Sequence, residues 1–126
     1  MSTVETEVYD TLRNAVGVTA LCPASRIKTL GDWQNLARPY IVHFPVALRQ
    51  ARSHGGRNGR LWDSYQVSVI ADDYASGRAV SDAVVAALDG VSAGGANFQF
   101  ESLRPLRDPE VNVINFVLEF LCGETL

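Results

Sequence analysis

The sequence predicts an α+β fold in which one four-stranded, mainly antiparallel sheet carries two helices on one face, in the order α-β-β-α-β-β. Two adjacent stretches support this prediction. Residues 65–71 alternate apolar and polar side chains with Ile70 as an apolar exception, which is typical of a strand with one buried face. Residues 79–88 repeat apolar side chains at spacings of three and four, which is typical of an amphipathic helix. Because the strand leads directly into the helix, we expect their apolar faces to pack together.

The composition limits the number of domains and the class of protein. A chain of 126 residues is long enough for one core, so we predict a single domain over residues 1–126. The formal net charge of −3 does not favour nucleic-acid binding. No apolar run approaches the roughly 18 residues of a membrane span. The N-terminus lacks the basic start and apolar centre of a signal peptide, so folding in a cytoplasm is expected.

The first half of the chain predicts one helix, a long connection and one strand. Thr3 to Val16 places apolar residues along one helical stripe. Leu21 to Pro39 is a connection of unusual length, and Trp33 within it is a candidate docking residue. Tyr40 to Leu48 is rich in β-formers but contains Pro45, which cannot donate a ladder hydrogen bond. We therefore predict that this strand is bulged or lies at an edge.

The most distinctive polar segment follows that strand. Residues 49–60 hold four arginines, one histidine and three glycines, and no large apolar residue. We predict a mobile loop that joins two antiparallel strands. Its basic residues are a candidate contact with an acidic protein surface or with phosphates, and a solvated loop without function is the alternative. They are Arg49, Arg52, His54, Arg57 and Arg60.

The second half predicts the central helix and two closing strands. Ser76 is expected to cap the helix and Gly90 to end it. A strand over Asn97 to Leu103 is followed by a proline-containing turn and by a final strand over Val111 to Cys122.

Apolar residues also occur on the side of the sheet away from the helices. The last strand is apolar on both sides, which predicts an exposed apolar face and self-association. The alternative is that the long connection folds over this face. The candidate inter-subunit or docking residues are Trp33, Trp62, Ile70, Phe116 and Phe120.

No motif for catalysis or metal binding was found. Asp72 and Asp73 are interpreted as helix-capping or solvated residues because adjacent strand positions point to opposite faces. His43 is interpreted as a buried or interface residue, and Cys22 and Cys122 as buried apolar residues more readily than a disulfide. Since no nucleophile, base and orienting group converge in the sequence, we expect no enzyme activity, cofactor or metal.

Three segments in this order resemble one protein family. They are Arg-Pro-Tyr-Ile-Val at residues 38–42, Tyr-Gln-Val-Ser-Val-Ile-Ala at residues 65–71, and the helix that ends in Ala-Leu-Asp-Gly at residues 87–90. Together they resemble the tail completion, or tail terminator, proteins of long-tailed bacteriophages and related phage-like particles, which join tail to head. Residues 69–74 depart slightly from the family's commonest pattern, since Val-Ile-Ala-Asp-Asp-Tyr replaces a plain aromatic-Ala-Tyr ending.

The resemblance implies a structural virion protein located at the head-proximal end of the tail. Such proteins form a ring, usually of six subunits, that stops growth of the tail tube and presents a docking surface to the head. The implied partners are further copies of the chain, the tail tube protein, a head–tail connector or neck protein, and DNA that passes through the lumen without sequence recognition. Under this hypothesis, strands Tyr40 to Leu48 and Val111 to Cys122 are sheet edges that join neighbouring subunits, and the basic hairpin contacts the tube or lines the lumen.

Other functions remain open at this point. A different neck or head–tail connector ring is the first alternative, and a small nucleic-acid-binding domain that uses the basic hairpin is a weaker one. An enzyme would need a convergent polar pocket that the sequence does not indicate.

Overall fold

The computed structural model of the chain describes residues 3–29, 37–53, 56–90, 92–93, 96–108 and 113–125. The helices are α1 (Thr3–Asn14), α2 (Val16–Thr19) and α3 (Tyr74–Leu88), with a short 3-10 turn at Ala24–Arg26. The strands are β1 (Ile27–Thr29), β2 (Tyr40–Ser53), β3 (Gly56–Ala71), β4 (Ser92–Ala93), β5 (Ala96–Asp108) and β6 (Val113–Thr125). Among these residues, no helix is long and apolar enough to cross a membrane.

The strands form a single mixed sheet in the order β1-β2-β3-β6-β5-β4. Strand β1 is parallel to β2, and the other neighbours are antiparallel. The predicted α+β class is therefore confirmed, but the prediction of four strands and two helices is incomplete. It missed β1 and the two-residue β4, which are too short to show a period in sequence, and the four-residue helix α2.

One face of the sheet, here called the helix face, holds the core. The predicted inward residues of β3 are all buried, with Val67, Val69 and Ala71 at 0% exposure and Tyr65 at 1%. Val69 lies opposite both Ile41 and Phe116, so the buried row continues across β2 and β6. Helix α3 covers this face with Val80, Val84 and Leu88, and α1 covers it with Val8 and Leu12. The predicted stripe of α1 stops there, because Val16 is 80% exposed.

Helix α3 begins and ends with well-defined caps. Asp73, and not Ser76 as predicted, is the N-cap, and its carboxylate accepts a 2.8 Å hydrogen bond from the Ser76 backbone N–H. At the other end, Gly90 has φ of 77°, a conformation that glycine adopts without strain. The Gly90 N–H donates to the Phe98 carbonyl at 2.8 Å, which connects the end of α3 to β5.

The close approach of α3 to the sheet depends on Gly77. This glycine is buried, and a Cβ built on it would overlap Phe116 Cε1 and lie 2.8 Å from Phe116 Cδ1 and 3.0 Å from the Ala71 Cβ. Phe116 is 0% exposed and packs against Tyr74, so its ring can move away only by displacing neighbouring side chains. The helix can therefore pack at this distance only where residue 77 has no side chain.

Both sheet edges contain a proline, but one predicted edge strand is internal. The bulge predicted for β2 is confirmed, because its register shifts between Pro45 and Ala47. The prediction that the last strand is an edge is wrong, since β6 is paired on both sides, with β3 and with β5. Beyond the two-residue β4, which pairs with Ala96 and Asn97, the edge on that side is β5, which contains Pro105.

We expect the substitution Gly77→Ala to lower the free energy of unfolding by about 1–3 kcal/mol. Overpacking against Phe116 and Ala71 outweighs the roughly 1 kcal/mol that alanine gains over glycine inside a helix. Thermal and urea denaturation of the purified variant would measure the change.

Gly17→Ala is the matched control, because no atom lies within 4 Å of the added Cβ. It should leave stability unchanged or raise it slightly. If both variants were equally stable, the contact between α3 and Phe116 would not limit the packing of the helix.

Candidate functional site

The basic segment predicted as a loop forms most of a β-hairpin. Strand β2 continues through Ser53 and β3 begins at Gly56, so Arg49, Arg52, Arg57 and Arg60 all lie in strands. Arg52 and Arg57 are register partners. The sequence did not indicate these strands because glycines are poor β-formers and the segment has no large apolar residue to set an alternating pattern, whereas pairing of the two chain segments decides their conformation. His54 and Gly55 lie outside the described residues.

The repulsion expected along this hairpin favours a partner with negative charge. Residues 49–60 carry four arginines and no acidic residue. Like charges at directly opposed strand positions destabilise a two-stranded ribbon, and Arg52 and Arg57 occupy such positions. The hairpin therefore remains a candidate contact for an anionic surface, although it is a paired ribbon and not a loop.

Two of the predicted docking residues are buried in the structure. Phe116 and Phe120 are 0% and 1% exposed on the helix face, where Phe116 packs against Tyr74 and Phe120 against Phe100. Their assignment as inter-subunit contacts is wrong, because α3 and the neighbouring strands already cover them. Sequence alternation identified a two-sided apolar strand but could not tell which side meets the helices.

The remaining predicted docking residues are only partly described. Ile70 is half-buried on the face opposite the helices, where it lies across from Tyr40 and Asn115. Trp62 lies in β3 opposite Arg49 and Gly123, and its side chain is outside the described part of the structure. Trp33 is also outside the described residues.

The second face of the sheet is less exposed than the sequence predicts. Val42, Ser68 and Val117 form a row across β2, β3 and β6, and each is only 5% exposed. Leu106 in β5 is 50% exposed on the same face. The predicted broad apolar patch is therefore not confirmed at the centre of this face, so apolar area alone does not argue for self-association.

A shallow groove between α3 and β5, here called the α3–β5 groove, was not predicted. Its volume is about 530 Å³, and it is lined by Arg78, Asp82, Val85, Phe100, Glu101, Ser102 and Leu103. The Arg78 Nε donates to the Asp82 carboxylate at 2.9 Å, and an Arg78 Nη donates to the Tyr74 hydroxyl at 3.2 Å. The floor is apolar and the rim is charged. No sequence signal joins these residues, because α3 and β5 meet only through the fold.

The outer edge of β5 is open beside this groove. Within the described residues, β4 pairs only with Ala96 and Asn97. At the next positions of this edge, the backbone groups are hydrogen-bonded within the same chain. The Phe98 carbonyl accepts from the Gly90 N–H, and the Phe100 N–H donates to the Asp89 carboxylate at 2.9 Å. A bulge follows between Phe100 and Ser102. From Glu101 onward, this edge has no strand partner in the described part of the chain.

His43 and Tyr65 form a hydrogen-bonded polar pair in the core, whereas the buried His43 Nε2 has no hydrogen-bond partner among the described residues. His43 is buried, its Nδ1 is hydrogen-bonded to the Tyr65 hydroxyl at 2.7 Å, and its ring centroid lies 6.4 Å from that of Tyr9 and 6.0 Å from that of Tyr65, with both tyrosine rings tilted by 26° from the imidazole. Burial lowers the pKa of His43 to about 4, since the charged imidazolium loses its hydration there. The interpretation of His43 as a buried residue is confirmed.

The predicted roles of the strand-end aspartates and of Cys22 are also confirmed. Asp73 caps α3, and the Asp72 carboxylate accepts a 2.6 Å hydrogen bond from Arg38. Cys22 is a buried free thiol whose pKa is raised to about 11 by burial. The described residues contain no group of three or more His, Cys, Asp or Glu side chains placed to hold a metal ion.

Comparison with solved structures finds the same fold in a chain of a gene transfer agent particle. A chain described as "Virion of native gene transfer agent (GTA) particle" superposes with a TM-score of 0.81 at 22% identity. The match covers 98% of this chain and 95% of that chain. At this identity the match shows a shared fold. A comparison with curated proteins found no match.

The family follows from the sequence as a whole. The model of the family "Tail completion protein gp17" matches residues 6–122, so the chain belongs to the tail completion protein gp17 family. It is a structural protein of a phage-type tail, and its location is the virion. The family resemblance predicted from the sequence is confirmed.

We expect stability to fall as the pH is lowered from about 6.5 towards about 4. The pKa of His43 is depressed in the folded state, so the unfolded chain binds the proton first and protonation favours unfolding in this interval. The full shift corresponds to roughly 3 kcal/mol. Urea denaturation at a series of pH values would measure the slope.

Two glutamine variants test whether His43 causes this dependence of stability on pH. His43→Gln should flatten the slope between pH 6.5 and 5, whereas His54→Gln, the only other histidine, should retain it. An unchanged slope in His43→Gln would contradict the role of His43.

Proposed function

We propose that copies of this chain form a ring of six subunits at the head-proximal end of a phage-type tail tube. The ring stops growth of the tube and joins the tail to the DNA-filled head. The match of the tail completion family to residues 6–122 carries this proposal, and the fold shared with a gene transfer agent virion supports it. The ring contacts the tube protein on one side and a connector or neck protein on the other, and DNA passes through its lumen without sequence recognition.

The unlike edges of the sheet support a cyclic assembly. Strands β1 and β2 form one edge and β5 with β4 the other, so two different surfaces lie at opposite ends of the sheet. Contacts between unlike surfaces generate rings when the rotation between subunits closes. A two-fold dimer would instead require one surface that is complementary to itself.

The basic hairpin is the assembly contact of this proposal. Its arginines can pair with carboxylates of a protein or with phosphates of passing DNA, and both partners suit a ring through which DNA moves. A structural role of this kind needs no catalytic group.

The purified protein should bind one end of assembled tail tubes as a closed ring and prevent further addition of tube protein. Negative-stain imaging of the tube ends, with the mass of the soluble protein, would test this expectation. Tubes incubated with heat-denatured protein are the control. Binding to DNA-filled heads in the absence of tubes would instead favour a connector or neck ring.

Replacement of Arg52, Arg57 and Arg60 by alanine should leave the fold intact and reduce the yield of joined particles about tenfold. A loss of about 1.4 kcal/mol in contact energy is sufficient for this change. Circular dichroism and an in vitro joining assay would measure the two effects. Arg13→Ala, an exposed arginine on α1, is the control and should join normally. Unfolding of the triple variant would contradict the position of the hairpin outside the core.

A further inference from the structure

The charge of the chain is segregated between the hairpin and the rest of the molecule. Residues 49–60 contribute four positive charges, and the remainder has seven basic and 14 acidic residues, a formal net charge of −7. Outside the hairpin, a second copy of the chain therefore has a net charge opposite in sign to that of the hairpin. Charge complementarity of this kind fixes the orientation of partners and excludes wrong ones.

The α3–β5 groove has the chemistry that an arginine-bearing strand requires. Glu101 lines it with an exposed carboxylate. Asp82, which is paired with Arg78, and Asp89, whose carboxylate accepts from the Phe100 N–H, add negative charge around it. Val85, Phe100 and Leu103 provide apolar surface on which the methylene stem of an arginine can lie. Guanidinium groups pair with carboxylates through short, charge-assisted hydrogen bonds.

The topology places the hairpin and the groove at opposite edges of one sheet. Strand β2 is paired by β1 only at Ile41–His43, and in the described part of the chain its continuation towards the hairpin has no other strand on that side. Successive antiparallel pairings make β5 antiparallel to β2. When copies follow one another around a ring, the β2 edge of one copy can thus lie alongside the β5 edge of the next.

We propose that the basic end of the β2–β3 hairpin of one copy docks in the α3–β5 groove of the next copy. This inference rests on the proposed ring and names its subunit contact. The contact is heterologous, because the hairpin and the groove are different surfaces, and each subunit supplies one of each. Pro45 and Pro105 interrupt the two edges, which limits unregulated strand addition and leaves the charge contact to select the partner.

Charge exchange between the two surfaces tests the contact. The hairpin variant Arg52→Glu with Arg57→Glu and the groove variant Glu101→Lys should each require at least about tenfold more protein to form rings. The variant that combines all three substitutions should recover ring formation, because the charges are again opposite. Analytical ultracentrifugation across a concentration series would measure assembly, with circular dichroism as the check on folding.

The control Arg13→Glu applies a charge reversal of the same kind on α1 and should assemble like the wild type. Normal ring formation by either single-surface variant would overturn the contact and leave the proposed ring in place. Failure of the combined variant to recover would also overturn it. Failure of the wild-type protein to form rings or to cap tubes would instead remove the proposed function itself.

Crosslinking gives a second test that does not depend on charge reversal. In a Cys122→Ser background, Arg52→Cys and Ser102→Cys together should form disulfides between subunits under mild oxidation, seen as a ladder of ring-sized oligomers on a non-reducing gel. Neither variant with only one of these two added cysteines should form this ladder. Crosslinking of Arg52→Cys to a cysteine in the tube protein, without the ladder, would place the hairpin on the tube and overturn the inference.

Discussion

The packing of α3 on the sheet depends on one contact, the approach of the helix backbone at Gly77 to the ring of Phe116. The absence of a side chain at residue 77 lets the helix descend onto β6, and Ser81 satisfies its buried hydroxyl by donating to the Gly77 carbonyl at 2.8 Å. Tyr74 then packs on the outer side of Phe116, with ring centroids 5.3 Å apart. With α3 held on the sheet in this way, the α3–β5 groove lies between the helix and the neighbouring strand β5.

The order of the strands determines which surfaces are available for assembly. Because β6 returns between β3 and β5, the most apolar strand of the chain is enclosed on both edges. The two edges that remain available for contacts differ from each other. The basic hairpin lies near one edge, and the α3–β5 groove lies near the other. A chain with two unlike ends is suited to repeated head-to-tail contacts, whereas two equal ends would favour paired dimers.

The hydrogen-bonded pair of His43 and Tyr65 shows how the core of this fold accommodates ionisable side chains. The hydrogen bond between His43 and Tyr65 joins neighbouring strands β2 and β3, and the ring of Tyr9 of α1 lies 6.4 Å from the imidazole. Three elements therefore meet at one neutral histidine. Such a group stabilises the fold only while it stays uncharged, since burial of a charge without a partner is costly.

The sequence by itself determined the α+β class, the inward face of β3, the helical stripe of α3, the bulge at Pro45 and the family, because these depend on local periodicity and on residues close together in the chain. Tertiary structure decided the rest. Strand order decides that β6 is internal, which side of it meets the helices, and that Phe116 and Phe120 are core residues. Alternation within one strand does not encode strand order. The hairpin strands, predicted as a loop, form through pairing that overrides weak local propensity. The groove could not be predicted, because α3 and β5 come together only when both are packed on the same sheet.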